Sequence, residues 1–376
     1  MTRPVSNRQP FADSSVDPAL ARDLRLRLKR WYRASRRAMP WRETKDPYAI
    51  WISEAMLQQT RVETVIPYWT RFMVLFPTIE ALANTAEEEV LAAWSGLGYY
   101  RRARSLRSAA QRIVQEHAGE FPRDREELLA LPGIGEYTAG AVLSIAFDQA
   151  QALVDGNVER VFARLFRLEL ARSSAVLKAR CWQIARELVP ARGAGDWNQA
   201  LMELGATLCT PQQPQCSSCP VAKLCEGRAK GCADSLPLPA PKKQVVEVTL
   251  EILVWRRKDE LLVQQRPAGG RMASMWQFPT RQLAARGPFL PNAPLFPEEW
   301  PFEPDPGQRR SPAHDLGSLR HAITHHRIQA RVLESQVSAR QRIELPAEFR
   351  WQSFEQIEAL PLTGMAKKVL AMLRSE

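Results

Sequence analysis

No stretch of this 376-residue chain is apolar for long enough to cross a bilayer as a helix. Its first residues, MTRPVSNRQPFADSS, lack the apolar core of an export signal. Those two absences set the expectation of a cytoplasmic protein with no membrane partner, in a compartment where thiols stay reduced. Cysteine is scarce: there are six, four of them crowded between positions 209 and 225. Without an export signal, disulfides are the weakest use for that quartet, and Cys181 and Cys232 read as ordinary thiols. Acidic residues are in deficit, 41 against 52 lysines and arginines, which leaves a formal charge of +11. That sign suits a polyanionic partner, but it does not separate DNA from RNA or a membrane surface, and genome composition alone produces some of it. No internal repeat is visible. The length predicts two or so domains, each able to bury a core.

Residues 1–17 read as a disordered N-terminus. From Pro18 the spacing of leucines in LARDLRLRLKRWYRASRR predicts a basic amphipathic helix. Asp46-Pro47 has the form of an N-cap followed by proline at the first helical position, opening a helix over PYAIWISEAMLQQTRVE. Further helices are expected at TRFMVLF, TAEEEVLAAW, RARSLRSAAQRIVQEH, REELLAL, VERVFARLF and WNQALMELGATL, separated by Gly or Pro breaks. Residues 18–234 therefore form a mostly α domain. The Pro- and Lys-containing stretch at 235–244 reads as a linker. Residues 245–376 form an α+β domain: VVEVTLEILVW and LLVQQRP are antiparallel partners across a polar turn, LRHAITHHRIQARVLE alternates, and GMAKKVLAMLR is an amphipathic helix. Residues 281–312, rich in proline, are expected to form an irregular surface loop.

Cys209, Cys216, Cys219 and Cys225 are separated by six, two and five residues, in CTPQQPQCSSCPVAKLC. Thiolates this close can converge on one metal centre, and the interleaved prolines favour a loop over a helix. Both an iron–sulfur cluster and tetrahedral zinc suit four thiolates, although zinc ribbons usually pair two Cys-x-x-Cys knuckles and this segment has one. In LPGIGEYTAGAVLSIAF, Gly133 and Gly135 allow unusual backbone angles and close approach. The helix beginning near Glu136 aims its unpaired N–H groups at the same place, an arrangement that binds phosphate or simply makes a tight turn. Two carboxylates stand out. Glu54, in the apolar stretch WISEAMLQQ, is expected to have a raised pKa from desolvation, or else to face solvent on a surface helix. Asp155, in LVDGNVER before a helix, is expected to be ionised with a lowered pKa, or to be only an N-cap. Cleaving a purine N-glycosidic bond needs one group of each kind, a proton donor and an anion facing the sugar.

The cysteine spacing resembles the iron–sulfur loop of the endonuclease III superfamily of DNA glycosylases, and LPGIGEYTAG resembles its helix-hairpin-helix (131–147). Together with WISEAMLQQTRV, SGLGYYRRAR and LVDGNVERV, the resemblance over residues 24–230 is to the MutY family of adenine glycosylases. It implies a [4Fe-4S] cluster on the four cysteines and a candidate monovalent-cation site at the hairpin carbonyls. It makes Glu54 the acid that protonates adenine and Asp155 the group that stabilises or transiently bonds the sugar C1′, with Tyr137 and Asn157 assisting. Trp41, Arg42, Leu57 and Gln199 fall where that family builds its adenine pocket. Gln59, Thr60 and Leu97 fall near the opposite base, and Tyr99 falls at the wedge that fills the space left by the flipped base. The lyase branch of the superfamily has lysine where this chain has Tyr137, and a phenol cannot form an imine. The resemblance therefore implies a monofunctional, monomeric enzyme acting on duplex DNA with adenine opposite 8-oxoguanine or guanine, in the bacterial nucleoid.

Residues 245–376 resemble the MutT-like (Nudix-fold) C-terminal domain of the same family, carried by WQFPT and RHAITHHRI. No glutamate-rich Nudix box is present in the sequence, so the expected role is recognition of 8-oxoguanine. The family often has Phe-Ser-His in the recognition loop where this chain has Ile323-Thr324-His325. Thr324 and His325 keep a hydroxyl and an imidazole, while Ile323 loses an aromatic face. His321, His325 and His326 have no acidic or cysteine neighbour and read as a turn at a strand end.

Overall fold

A computed structural model describes residues 15–240, 245–267, 272–287, 294–300, 313–338 and 343–374. The sequence readings for residues 1–14, for the 241–244 part of the linker and for most of the proline-rich loop (288–293 and 301–312) lie outside the described residues. Two compact units emerge: Met1–Glu80 with Ser108–Pro241, and Ala81–Arg107 with Lys242–Glu376. Residues 81–107, which the sequence pattern assigns to the helical domain, are grouped by their contacts with the C-terminal unit instead.

In chain order the helices are α1 (Pro18–Ser35), α2 (Pro47–Leu57), α3 (Val62–Leu75), α4 (Ile79–Asn84), α5 (Glu87–Ala93), α6 (Arg101–His117), α7 (Arg125–Ala130), α8 (Glu136–Phe147), α9 (Gly156–Leu165), α10 (Ala175–Leu188), α11 (Ala194–Thr207) and α12 (Glu226–Ala229). In α1, Asp17 accepts from the Ala19 N–H, and Ala21, Leu24, Leu28 and Tyr32 recur along the buried face. Asp46 caps α2 through the Tyr48 and Ala49 N–H groups. Every residue from Tyr48 to Met56 is buried, so α2 is an interior helix and Glu54 has no solvent-facing side to occupy.

The single helix expected from Pro47 through Glu63 is in fact two. α2 stops at Leu57, Gln59 takes a left-handed φ of 62°, and the Thr60 N–H turns back onto the Leu57 carbonyl at 3.3 Å before α3 begins. No glycine or proline announces this break. It makes a three-residue corner, Gln58–Thr60, directly after the buried helix, with Gln59 exposed at its tip.

α8 is buried almost all round and packs on α2 and α11, and α11 packs on α9 and α1. The core of the first unit runs through α1, α8, α9, α10 and α11. One glycine decides the spacing at its centre: a Cβ on Gly205 of α11 would lie 2.6 Å from the Asn157 Cβ, so only glycine lets the start of α9 sit this close.

The second unit contains a mixed seven-stranded sheet with β1 (Val246–Arg257), β2 (Glu260–Gln265), β3 (Trp276–Gln277), β4 (Thr280–Arg286), β5 (His314–Ile323), β6 (His326–Gln336) and β7 (Phe349–Ser353). The order is β3-β2-β1-β6-β5, with β4 on β1 and β7 on β2. β1 and β2 pair antiparallel beyond a polar turn, as their alternation predicts, while β1 and β6 run parallel. Val246, Val248, Leu250, Ile252 and Val254 turn one face of β1 into the core with α14 (Gly364–Leu373) and Ile357 of α13 (Phe354–Ala359). Leu253 and Trp255 face the opposite way, onto Leu262 and Phe349. The loop expected from 281 begins later than predicted, because β4 continues to Arg286 as a partner of β1. Within this unit the Trp276 indole donates to Glu88 Oε1 at 3.0 Å, and Arg104 donates to the Ala273 carbonyl.

Candidate active site

Glu54 is 4% exposed, and burial raises its carboxyl to about 7. The Tyr137 hydroxyl, which donates to Glu54 Oε2, and the Arg42 charge pull it down, while the Asp155 charge pushes it up. A carboxyl poised there keeps its proton available near neutral pH. Tyr137 lies in the first turn of α8, so the helix that opens at the hairpin also delivers a hydroxyl to the acid. Its own pKa is driven well above the ordinary phenol by burial and by the two carboxylates, Glu54 and Asp155.

Asp155 caps α9. Its Oδ1 accepts from the Asn157 and Val158 N–H groups at 2.9 and 2.7 Å, and its Oδ2 accepts from Asn157 Nδ2 at 2.8 Å. The expectation of a lowered pKa is corrected here. Burial outweighs the hydrogen bonds and the Arg160 charge, and the net direction is upward. Asp155 acts on both Glu54 and Tyr137, so the three groups share one electrostatic site. Arg160 extends that site: its guanidinium donates to Asn157 Oδ1 at 2.9 Å, to the Gly205 carbonyl at 2.8 Å and to the Cys209 carbonyl at 2.8 Å.

Arg42 ends a single 3-10 turn, Pro40–Arg42. It donates to the Arg37 carbonyl and to Glu203 Oε2, both at 2.9 Å, and its guanidinium lies over the Tyr32 ring. Burial works against ionised Glu203, which is 1% exposed, but the fork from Arg37 and the bond from Arg42 hold its carboxyl down at about 2. Gln199, Met202 and Glu203 lie three and four residues apart, on one face of α11, and Met202 Sδ is 3.4 Å from the Tyr137 hydroxyl. Leu57 is one helical turn beyond Glu54, and Trp41 is buried edge-on to Trp69. Glu203, Met202 and Arg160 escaped sequence reasoning. For Glu203 the signal was the one that singled out Glu54, a carboxylate inside an apolar helical run.

The hairpin presents backbone. Gly133 has φ 78° and is exposed, as is Gly135, which starts α8 with no capping side chain among the described residues. Exposed N–H groups at a helix start are the kind of backbone donor that can receive an anion. At the α2–α3 corner Gln59 is exposed, and the Thr60 hydroxyl is buried without a hydrogen-bond partner among the described residues.

In the second unit Tyr99 has φ 50° between Gly98 and Tyr100, and it is 53% exposed with the Arg102 guanidinium over its ring. Leu97 and Tyr100 are buried. Thr324 and His325 form the turn between β5 and β6. Thr324 is exposed at φ 54°, its hydroxyl donates to the Ile323 carbonyl, and the His325 ring lies tilted against His326 with centroids 4.1 Å apart. The turn expected of the histidine cluster is present.

Cys209, Cys216, Cys219 and Cys225 line one small, solvent-open pocket with Arg164 and Arg228. All four are free thiols. Arg164 is buried and donates to Cys209 Sγ at 3.4 Å and to the Thr210, Pro211 and Leu236 carbonyls, fastening the loop to α9. Among the described residues, no three His, Cys, Asp or Glu side chains converge tightly enough to hold a single metal ion. Four thiols on one loop beside the buried Arg164 guanidinium are a donor set whose chemistry suits an anionic metal–thiolate centre.

Residues 52–187 match the HhH-GPD superfamily of base excision DNA repair proteins, and residues 252–372 match the NUDIX domain. Adenine DNA glycosylase of Rattus norvegicus is 35% identical over 97% of this chain and 80% of its own. That of Homo sapiens is 34% identical over 92% and 73% respectively. A solved thermostable thymine-DNA glycosylase superposes with a TM-score of 0.51 and 30% identity, over 56% of this chain and 98% of its own.

Proposed function

Because the chain belongs to the adenine DNA glycosylase family of the helix-hairpin-helix base-excision superfamily, we propose that it hydrolyses the N-glycosidic bond of adenine mispaired with 8-oxoguanine or guanine in duplex DNA. The observation that carries this reading is the buried Glu54 carboxyl, raised to about 7 and bonded by Tyr137 in the field of Asp155. The exposed backbone N–H groups of Gly133 and Gly135 take a phosphate, and Tyr99 enters the stack as the adenine leaves it. Neutral Glu54 gives its proton to a ring nitrogen of adenine. The bond from C1′ to the base then breaks, with its electron pair going to the base. The Asp155 carboxylate stabilises the cationic sugar or bonds it transiently. Glu54, now ionised, accepts a proton as water attacks C1′, which leaves an abasic site and restores the acid.

The four thiols would hold a [4Fe-4S] cluster, which when bound cross-links the 209–225 loop. The hairpin carbonyls would take a monovalent cation. Thr324 and His325 are the recognition groups for 8-oxoguanine, and the chain works as a monomer on nucleoid DNA. Tyr137 occupies the place where a lyase needs an amine, so no Schiff base forms.

The test is single-turnover adenine release from duplexes carrying 8-oxoguanine, guanine, cytosine or thymine opposite adenine, with borohydride in parallel reactions. Release opposite the first two and no covalent adduct is the expected result. Equal release opposite all four bases, or a trapped protein–DNA adduct, overturns it. The pH profile gives a second check. Glu54 acts in its protonated form and its pKa is raised to about 7, so the alkaline limb of the single-turnover rate should fall as pH rises through that value.

A further inference from the structure

The Tyr137 hydroxyl has one hydrogen and two acceptors, Glu54 Oε2 and the Met202 sulfur at 3.4 Å. We infer that Met202 is a positioning residue whose thioether receives the Tyr137 hydrogen whenever Glu54 holds its own proton on Oε2. The inference rests on the proposed role of Glu54 as the acid.

When Glu54 is ionised, both oxygens can only accept, and the Tyr137 hydrogen turns to Oε2. When Glu54 is neutral with its proton on Oε1, Oε2 is a carbonyl and the same bond persists. When the proton sits on Oε2, that oxygen becomes a donor to Tyr137 Oη, and the phenolic hydrogen must rotate away. The sulfur gives it somewhere to go. Because sulfur is a weak acceptor, it does not compete with the carboxylate for the hydrogen, yet it satisfies that hydrogen once the carboxyl is neutral. Met202 thus adds a protonated microstate and favours neutral Glu54. Burial keeps the phenol itself protonated throughout. The other groups acting on the Glu54 carboxyl are Asp155 before α9 and Arg42 of the 3-10 turn, and neither is altered by changing Met202.

The experiment is the single-turnover pH profile of Met202→Leu, a volume-conserving change that cores usually tolerate. Its alkaline limb should move to lower pH by about half a unit, the size expected from losing one weak hydrogen bond. Met202→Gln, which places an amide carbonyl where the sulfur was, should return the limb to the wild-type position. In a Tyr137→Phe background Met202→Leu should cause no further shift. A uniform loss of rate with an unmoved limb, or an equal shift in the Tyr137→Phe background, overturns the inference. Glu54 protonation followed by difference infrared spectroscopy reads the same shift without catalysis. If the wild-type protein releases no adenine, the proposed reaction fails, while the infrared titration still decides the part played by the sulfur.

Discussion

Glu54→Gln should lower single-turnover adenine release by about a thousandfold or more, the range of a lost general acid, while duplex binding stays within a few-fold of wild type. Glutamine keeps the shape and still accepts from Tyr137, but it has no proton to give. The same substitution should make the protein more stable. A carboxyl raised from the ordinary range to about 7 binds its proton more tightly folded than unfolded, so it loses stability progressively as pH rises from the ordinary carboxyl value through 7. At pH 8 that cost is on the order of 3 kcal/mol, which a neutral amide avoids apart from the weaker bond to Tyr137. Thermal unfolding should therefore show Glu54→Gln melting higher than wild type at pH 8, with the gap closing toward pH 5. Loss of activity together with a gain in stability marks a functional group held against its preference. A variant that lost both would make Glu54 a structural residue.

The chemistry of this site is legible in the sequence where it depends on local pattern. An apolar helical run makes α2 interior, and that burial alone predicts the upward direction at Glu54. An Asp-Gly-Asn before a helical period places Asp155 at a cap, and glycines flanking Ile134 open the hairpin. Where long-range contacts decide, the pattern falls silent. The break at Gln58–Arg61 uses a left-handed glutamine that carries no breaker signal. The helix end alone would lower the Asp155 pKa, yet burial among residues distant in sequence overrides it. Glu203 draws its low pKa from Arg37 and Arg42, more than 160 residues away, so its neighbours on α11 say nothing about its charge state. Arg164 and Arg160 look like surface cations of an amphipathic helix until the cysteine loop is laid over them.

Asp155→Asn separates the two roles left open for that residue. Asparagine caps helices about as well as aspartate, and its side-chain oxygen can keep both backbone bonds from Asn157 and Val158. What it loses is the full negative charge and the acceptor facing Asn157 Nδ2. If Asp155 were only a cap, the variant would fold, bind duplex and excise adenine nearly as wild type. If it faces the developing sugar cation, excision should fall by about a thousandfold, the size of effect seen when one preorganised electrostatic group is removed from a water-excluded site. Thermal stability should meanwhile change by no more than about 1 kcal/mol. The pH profile sharpens the distinction. Asp155 acts ionised and its pKa is raised, so the wild-type rate should decline on the acid side above the ordinary aspartate range. The asparagine variant has no such group to titrate, so its residual rate should lose that acid limb and keep the alkaline one that belongs to Glu54. Retention of both limbs in the variant would place the anion that stabilises the sugar elsewhere in the site.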